Sequence, residues 1–268
     1  MARLGRRARQ RRIKEIVLGT LAFSTVAAII VGVVLFIKSQ PDALNKQTLC
    51  PALGPSGHYV LLVDKTDPLN FTQQKAFAVT LRDLVERKIP EGYLLSVFVL
   101  GENFKETAEP LVELCNPGAG EGKSEYTANL VKLRRQYEER FVGPLLTQAE
   151  ALIATESANA SPIIEMLQLV SINALRKHDV SGVRRLIVMS DMLHNTPQFS
   201  MYKEIPDFSS FTTTDYGRKA QLELRQVDVE LHYLMNRPQL QTRRNLKFWE
   251  DYFDNAGARI VAVRPLEG

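Results

Sequence analysis

Apolar positions along the chain change period several times, and each change marks an element. Ile16 to Ile37 is a run of 22 residues without a charge, which matches the roughly 20 residues a helix needs to cross a hydrocarbon core. A Pro- and Gly-punctuated stretch over residues 38–57 has no apolar period and reads as a short stalk. Tyr59 to Val63 is then a continuous apolar run ending on Asp64, the pattern of a strand buried on both faces that delivers a carboxylate to the loop before a helix. That helix is opened by Asn70 and Gln73 at capping-box spacing, carries Ala78, Leu81, Leu84 and Val85 on one face, and stops before Pro90. Tyr93 to Leu100 and Leu111 to Cys115 are the next two strands. The link between them is too short for a parallel crossover, so they should pair antiparallel.

Helical period returns over Ser124 to Thr155, with Leu130, Leu133, Tyr137 and Phe141 on one face and Gly143-Pro144 expected to split it. A polar linker over Glu156 to Ser161 leads to a helix with Pro162 in its first turn and Ser161 as its cap. Arg185 to Ser190 is a second buried strand, and it too ends on a carboxylate, Asp191. From Met192 to Gly217 no period is visible, although Phe199, Tyr202, Phe208, Phe211 and Tyr216 fall there. A loop of that length is either functional or packed on itself. A short helix around Arg218 to Leu224, a strand over Val227 to Leu234, a helix over Leu240 to Phe253 and a strand over Arg259 to Val263 complete the chain, with Gly257 placed as a helix stop.

Charge changes the picture at one place. Seven basic residues precede the apolar run, and setting them aside with Glu15 leaves 27 Lys and Arg against 29 Asp and Glu. The basic balance therefore reports membrane topology and gives no support to nucleic-acid binding. Basic residues before the span predict a signal anchor, with residues 1–15 as a cytoplasmic tail, 16–37 as a transmembrane helix and the remainder outside the cytoplasm, in the periplasm if the cell is Gram-negative. Thr20, Ser24, Ala28 and Gly32 share one helix face, a spacing that allows self-association in the membrane but also arises by chance. An oxidising compartment permits the two cysteines, Cys50 and Cys115, to pair; two unpaired thiols are the alternative.

Alternating strands and helices with one early hairpin predict an α/β fold: a doubly wound, mostly parallel sheet with one antiparallel edge strand over residues 58–268. Together with Asp64-Lys65-Thr66-Asp67-Pro68, Ser161-Pro162 and Ser190-Asp191 at the expected strand ends and loops, this resembles the von Willebrand factor A domain. The resemblance implies a metal-ion-dependent adhesion site with Asp64, Thr66, Ser161 and Asp191 as ligands to Mg2+ or Mn2+. It also implies a protein partner met by Asp67 and by the aromatic loop through Phe199, Tyr202, Phe208 and Phe211. Pro68 departs from the family pattern, because a serine hydroxyl is expected there. A degenerate adhesion site is one reading, and a metal-free structural subunit of a cell-envelope assembly is the other. A third reading takes Asp64 in DKTDPL as the nucleophile of a haloacid dehalogenase-like phosphohydrolase, with Lys177 balancing charge; Asp67-Pro68 in place of Gly-Thr counts against it. Ser190, Asp191 and His194 are too crowded on one strand end to form a hydrolase triad.

Overall fold

The computed structural model describes residues 2–39, 44–123, 129–153, 158–178 and 180–267, and the side-chain surroundings of these except 2–15, 35–39 and 149–153. The chain forms two compact units, Met1–Ala43 and Leu44–Gly268. In the first, α1 (Ala2–Ser39) contains the stretch Ile16–Val34, which is long and apolar enough to cross a membrane. The hydroxyls of Thr20, Ser24 and Thr25 donate to carbonyls one turn back on the same helix, at 2.8 to 3.1 Å. Their polar groups are thus satisfied inside the helix, as a hydrocarbon environment demands.

The second unit is built on six strands: β1 (His58–Asp64), β2 (Leu94–Leu100), β3 (Val112–Cys115), β4 (Arg184–Ser190), β5 (Val227–Leu234) and β6 (Arg259–Leu266). Their order is β3-β2-β1-β4-β5-β6, and every pair is parallel except β2 with β3. The expected sheet, with its antiparallel edge strand, is therefore what forms. β1 and β4 lie side by side at its centre, Leu61 against Ile187 and Val63 against Met189, so their carboxyl ends emerge together. That is the switch point at which doubly wound sheets bind ligands.

Helices cover both faces. On one side α2 (Phe71–Asp83), α3 (Leu130–Tyr137), the π turn that follows it and α4 (Gly143–Ile153) supply Phe77, Leu81, Phe141 and Leu145 to a core with Leu61 and Val63. On the other, α5 (Ile163–Val170) and α8 (Arg243–Asn255) bury Ile164, Leu167, Phe248, Trp249 and Phe253 against Leu62, Val188 and Leu231. Burial of each such side chain contributes roughly 1.5–3 kcal/mol. Asn70 caps α2 in the expected reciprocal box with Gln73. Gly143-Pro144 changes the helix without breaking the rod: a π turn over Glu138–Val142 lets the Gly143 N–H reach the Glu138 carbonyl, and Pro144 falls in the first turn of α4, where its missing N–H costs nothing. Residues 124–128 and 154–157, parts of the predicted helix and linker, lie outside the described residues.

Both sheet edges are blunted. At β3, the Cys115 N–H donates to the Thr48 carbonyl at 2.8 Å and Cys115 is disulfide-bonded to Cys50. At β6 the register slips between Val229 and Glu230, and Pro265 interrupts the row of donors. Bulges and prolines are devices that keep edges from pairing with other chains.

The disulfide closes a loop of 65 residues, for which chain entropy predicts a stabilisation of about 4 kcal/mol. Replacing both Cys50 and Cys115 by serine should lower unfolding stability by that order in urea titrations of the full chain in detergent; a loss below ~1 kcal/mol would show that the stalk is held by other contacts.

Candidate functional site: the strand-end carboxylates

The site begins with the ends of β1 and β4. Asp64 is the last residue of β1 and is 4% exposed; Asp191 follows β4 and is 3% exposed. Around Asp64, the Thr66 backbone N–H and hydroxyl donate to Oδ1 at 3.0 and 2.6 Å, and the Ser190 hydroxyl donates to Oδ2 at 2.6 Å. The Ser161 hydroxyl approaches Oδ2 at 3.5 Å, the limit of a hydrogen bond. Asp191 is less well supplied. Its Oδ1 accepts from the Leu193 N–H at 2.9 Å, while its Oδ2 is buried without a donor and the Asp67 carboxyl comes within hydrogen-bonding reach of the Asp191 side chain.

Burial raises both carboxyls above the ordinary range. For Asp191 the shift is large, driven first by burial and then by repulsion from Asp64, with the half-buried Asp67 adding to it. Two acids on adjacent parallel strands cannot both stay ionised at low cost in so dry a place without a proton or a cation.

The loops that carry these groups are tied to one another. Ser161 and Asn195 exchange backbone bonds at 2.8 and 2.9 Å, and the Ala158 N–H reaches the Thr66 carbonyl at 3.0 Å. Ser161 is therefore not the helix cap expected from sequence: α5 starts at Ile163 after Pro162, without a side-chain cap, and the hydroxyl turns toward Asp64 instead. After β4 the backbone of Met192 adopts φ 56°, a left-handed conformation rare for a side chain of this size. The surroundings hold it there: the Met192 carbonyl accepts from Asn245 Nδ2 at 3.1 Å and Trp249 Nε1 at 2.8 Å, and its N–H donates to Ser190 Oγ at 2.9 Å. Such strain clusters at functional positions, and here it fixes the direction in which Asp191 leaves the strand.

The four residues Asp64, Thr66, Ser161 and Asp191 thus converge, and all four are buried. Among the described residues no three His, Cys, Asp or Glu side chains are grouped to hold a metal by themselves, so a cation here needs hydroxyl ligands beside the carboxylates. The hard oxygen donors, among them the Asp191 Oδ2 that accepts no hydrogen-bond donor, suit a Mg2+- or Mn2+-like ion. Pro68 brings no hydroxyl to the set.

The aromatic segment divides. Phe211 is 2% exposed, Phe199 is half-buried, and both pack on Phe248 of α8; Phe208 packs on Phe248 and Tyr252. Of the four rings expected at a partner surface, Phe211 is core, and the segment is packed on itself. It includes α6 (Phe208–Thr213) and α7 (Asp215–Lys219), the second of which replaces the helix expected around Arg218 to Leu224. Tyr202 alone of the four turns toward the acids, whose charges raise its pKa after burial does.

His194 faces away from Ser190. Its Nδ1 accepts from the Ile164 N–H at 3.3 Å, Nε2 lies 3.1 Å from the Tyr216 hydroxyl, and burial pushes its pKa down to about 3. Lys177 is distant from Asp64. It lies 3.9 Å from Glu113, which bonds Ser96, which in turn meets His58 at the start of β1, about 20 Å of strand from Asp64. Sequence reasoning missed Arg237 and Gln241, which reach this face from the loop after β5; nothing in their local pattern distinguishes them from ordinary loop residues.

No protein-family model matches the chain, and no curated protein matches it. Among solved structures, the VWA domain of SpRpn10 is similar over 79% of this chain and 88% of its own, at 7% identity and a TM-score of 0.40. An aerotolerance-related membrane protein from Bacteroides fragilis is similar over 77% and 90%, at 11% identity and a TM-score of 0.34. The human COPII-coat protein Sec24c is similar over 80% of this chain and 30% of its own, at 10% identity and a TM-score of 0.38. Strand order and direction carry the assignment: the fold of the second unit is von Willebrand factor A-like.

Because the folded carboxyls titrate above their unfolded values, the native state holds more protons between the two. Stability of the cation-free protein should therefore fall as pH rises through that window. Asp191→Asn should flatten this dependence and stabilise the chelator-treated protein at neutral pH by on the order of 1–3 kcal/mol. Destabilisation by the substitution at neutral pH, measured by thermal unfolding in EDTA, would contradict the buried repulsion.

Proposed function

We propose that this chain is a membrane-anchored module whose von Willebrand factor A-like unit binds a protein partner across the strand-end face. In this reading Asp64, Thr66, Ser161 and Asp191 hold a divalent cation, Mg2+ or Mn2+. The observation that carries the reading is the crowding of buried Asp191, whose Oδ2 has no donor, against the carboxyls of Asp64 and Asp67: an arrangement that is costly alone and is offset by a bound cation. The cation, when bound, offers a coordination position to an anionic group of the partner. Around it, Thr66 and Ser190 hold Asp64 in place, the strained Met192 aims Asp191, and the Ser161–Asn195 pairing brings the third loop in.

The anchor is the apolar helix. The basic residues before it support a cytoplasmic N-terminus, and the Cys50–Cys115 disulfide supports an oxidising compartment for the rest, the periplasm in a Gram-negative cell. The face with Thr20, Ser24, Ala28 and Gly32 would let two anchors associate.

One observation favours a second reading, a metal-free subunit of an envelope assembly. Both Asp64 oxygens already accept from protein donors, and Pro68 supplies none. The phosphohydrolase reading loses its charge-balancing residue, since Lys177 belongs to the opposite end of β1.

Calorimetric titration of Mg2+ and Mn2+ into the full chain in detergent, beside an Asp64→Ala, Asp191→Ala double variant, separates the readings. We expect saturable binding below millimolar concentration that vanishes in the still-folded variant. Absence of binding at several millimolar would leave the metal-free subunit.

A further inference from the structure

We propose that Arg237 is a tethered counter-ion of the strand-end carboxylates, held where it opposes the entry of a divalent cation. The inference rests on the cation reading above and deepens it by naming the residue that sets how tightly this site takes its ion.

The loop after β5 is stapled to both acid-bearing segments. The Arg237 N–H donates to Gln241 Oε1 at 2.7 Å, and the Gln241 amide donates onward to the Asp191 carbonyl at 3.0 Å and the Leu234 carbonyl at 2.6 Å. One residue earlier, Asn236 Oδ1 accepts at 2.8 Å from Gln73, the α2 capping-box residue that follows the Asp64–Pro68 loop. Arg237 is thus fixed, through its own backbone and its neighbour, to the segments that present Asp191 and Asp67.

The side chain is directed as well. Its guanidinium lies 5.3 Å over the Tyr202 ring, a stacking that suits a planar, weakly hydrated cation. Tyr202 is the aromatic residue that turns toward the acids, and the charged form of Arg237 is favoured first by its side-chain hydrogen bond to Tyr202 and then, to a smaller extent, by Asp67 and Asp191. The guanidinium itself is exposed to solvent.

An arginine is charged at every accessible pH, so its field is permanent. Toward the carboxylates it supplies part of the compensation that burial demands; toward an incoming dication it is repulsive. At a half-open face, where water screens the interaction, one such charge alters divalent affinity by roughly three- to thirtyfold. The device weakens the site for a cation alone without touching a ligand. An anionic group arriving with the partner would meet the cation and Arg237 together, and would reverse the sign of the Arg237 contribution.

The test compares Mn2+ affinity of the full chain in detergent for the native protein, Arg237→Gln, Arg237→Lys and Asp191→Asn, each checked for a native circular-dichroism spectrum, with the melting temperature in EDTA expected to be lowered slightly by Arg237→Gln and raised by Asp191→Asn. We expect Arg237→Gln to tighten Mn2+ binding about tenfold, Arg237→Lys, which keeps the charge but not the stacked guanidinium, to fall between the native protein and Arg237→Gln, and the differences to shrink in high salt. Equal or weaker binding by Arg237→Gln, with binding still lost in Asp191→Asn, would overturn the role of Arg237 and leave the cation site standing. No binding by any of the four proteins would overturn both.

Discussion

Two carboxylates are buried where two adjacent parallel strands end, and the rest of the globular unit is consistent with that constraint. β1 and β4 are hydrogen-bonded neighbours, so Asp64 and Asp191 cannot be moved apart without breaking the centre of the sheet. Each is nearly excluded from water, and each raises the other's cost of ionisation. An acid pair of this kind weakens a fold unless something compensates it. Thr66 and Ser190 compensate Asp64 with hydroxyls, whereas Asp191 keeps one oxygen without a donor.

Packing on the far side of the sheet serves that geometry. Trp249 and Asn245 on α8 donate to the Met192 carbonyl, so a left-handed residue that would otherwise relax is held by a buried aromatic helix. The aromatic segment after Asp191 then folds back onto the same helix through Phe199, Phe208 and Phe211. This stiffens the loop that carries the acid and leaves Tyr202, with Arg237 above it, on the open face. Stability and site geometry are thus supplied by the same contacts.

Much of this could be read from residue order, for physical reasons. Continuous apolar runs ending on Asp64 and Asp191 mark buried parallel strands, and the ten residues from Gly101 to Pro110 forbid a parallel crossover; strand directions followed from those facts alone. The Asn70–Gln73 box was visible because capping depends on spacing within four residues. What escaped depends on contacts distant in sequence. Ser161 looked like a cap because its neighbours are helical, yet the pairing with Asn195 turns its hydroxyl to Asp64. Only the family resemblance puts Phe211 at a partner surface, with a self-packed segment as the alternative, because aromatic residues in an aperiodic segment carry no period to show which side is inward. Arg237 acquires meaning only through Gln241, Gln73 and Tyr202, each from a different element.

The most direct test of the central claim is anomalous diffraction from crystals of the protein grown with Mn2+. We expect a manganese peak among the side chains of Asp64, Thr66, Ser161 and Asp191. A map without that peak at millimolar Mn2+ would contradict a cation held by these four residues.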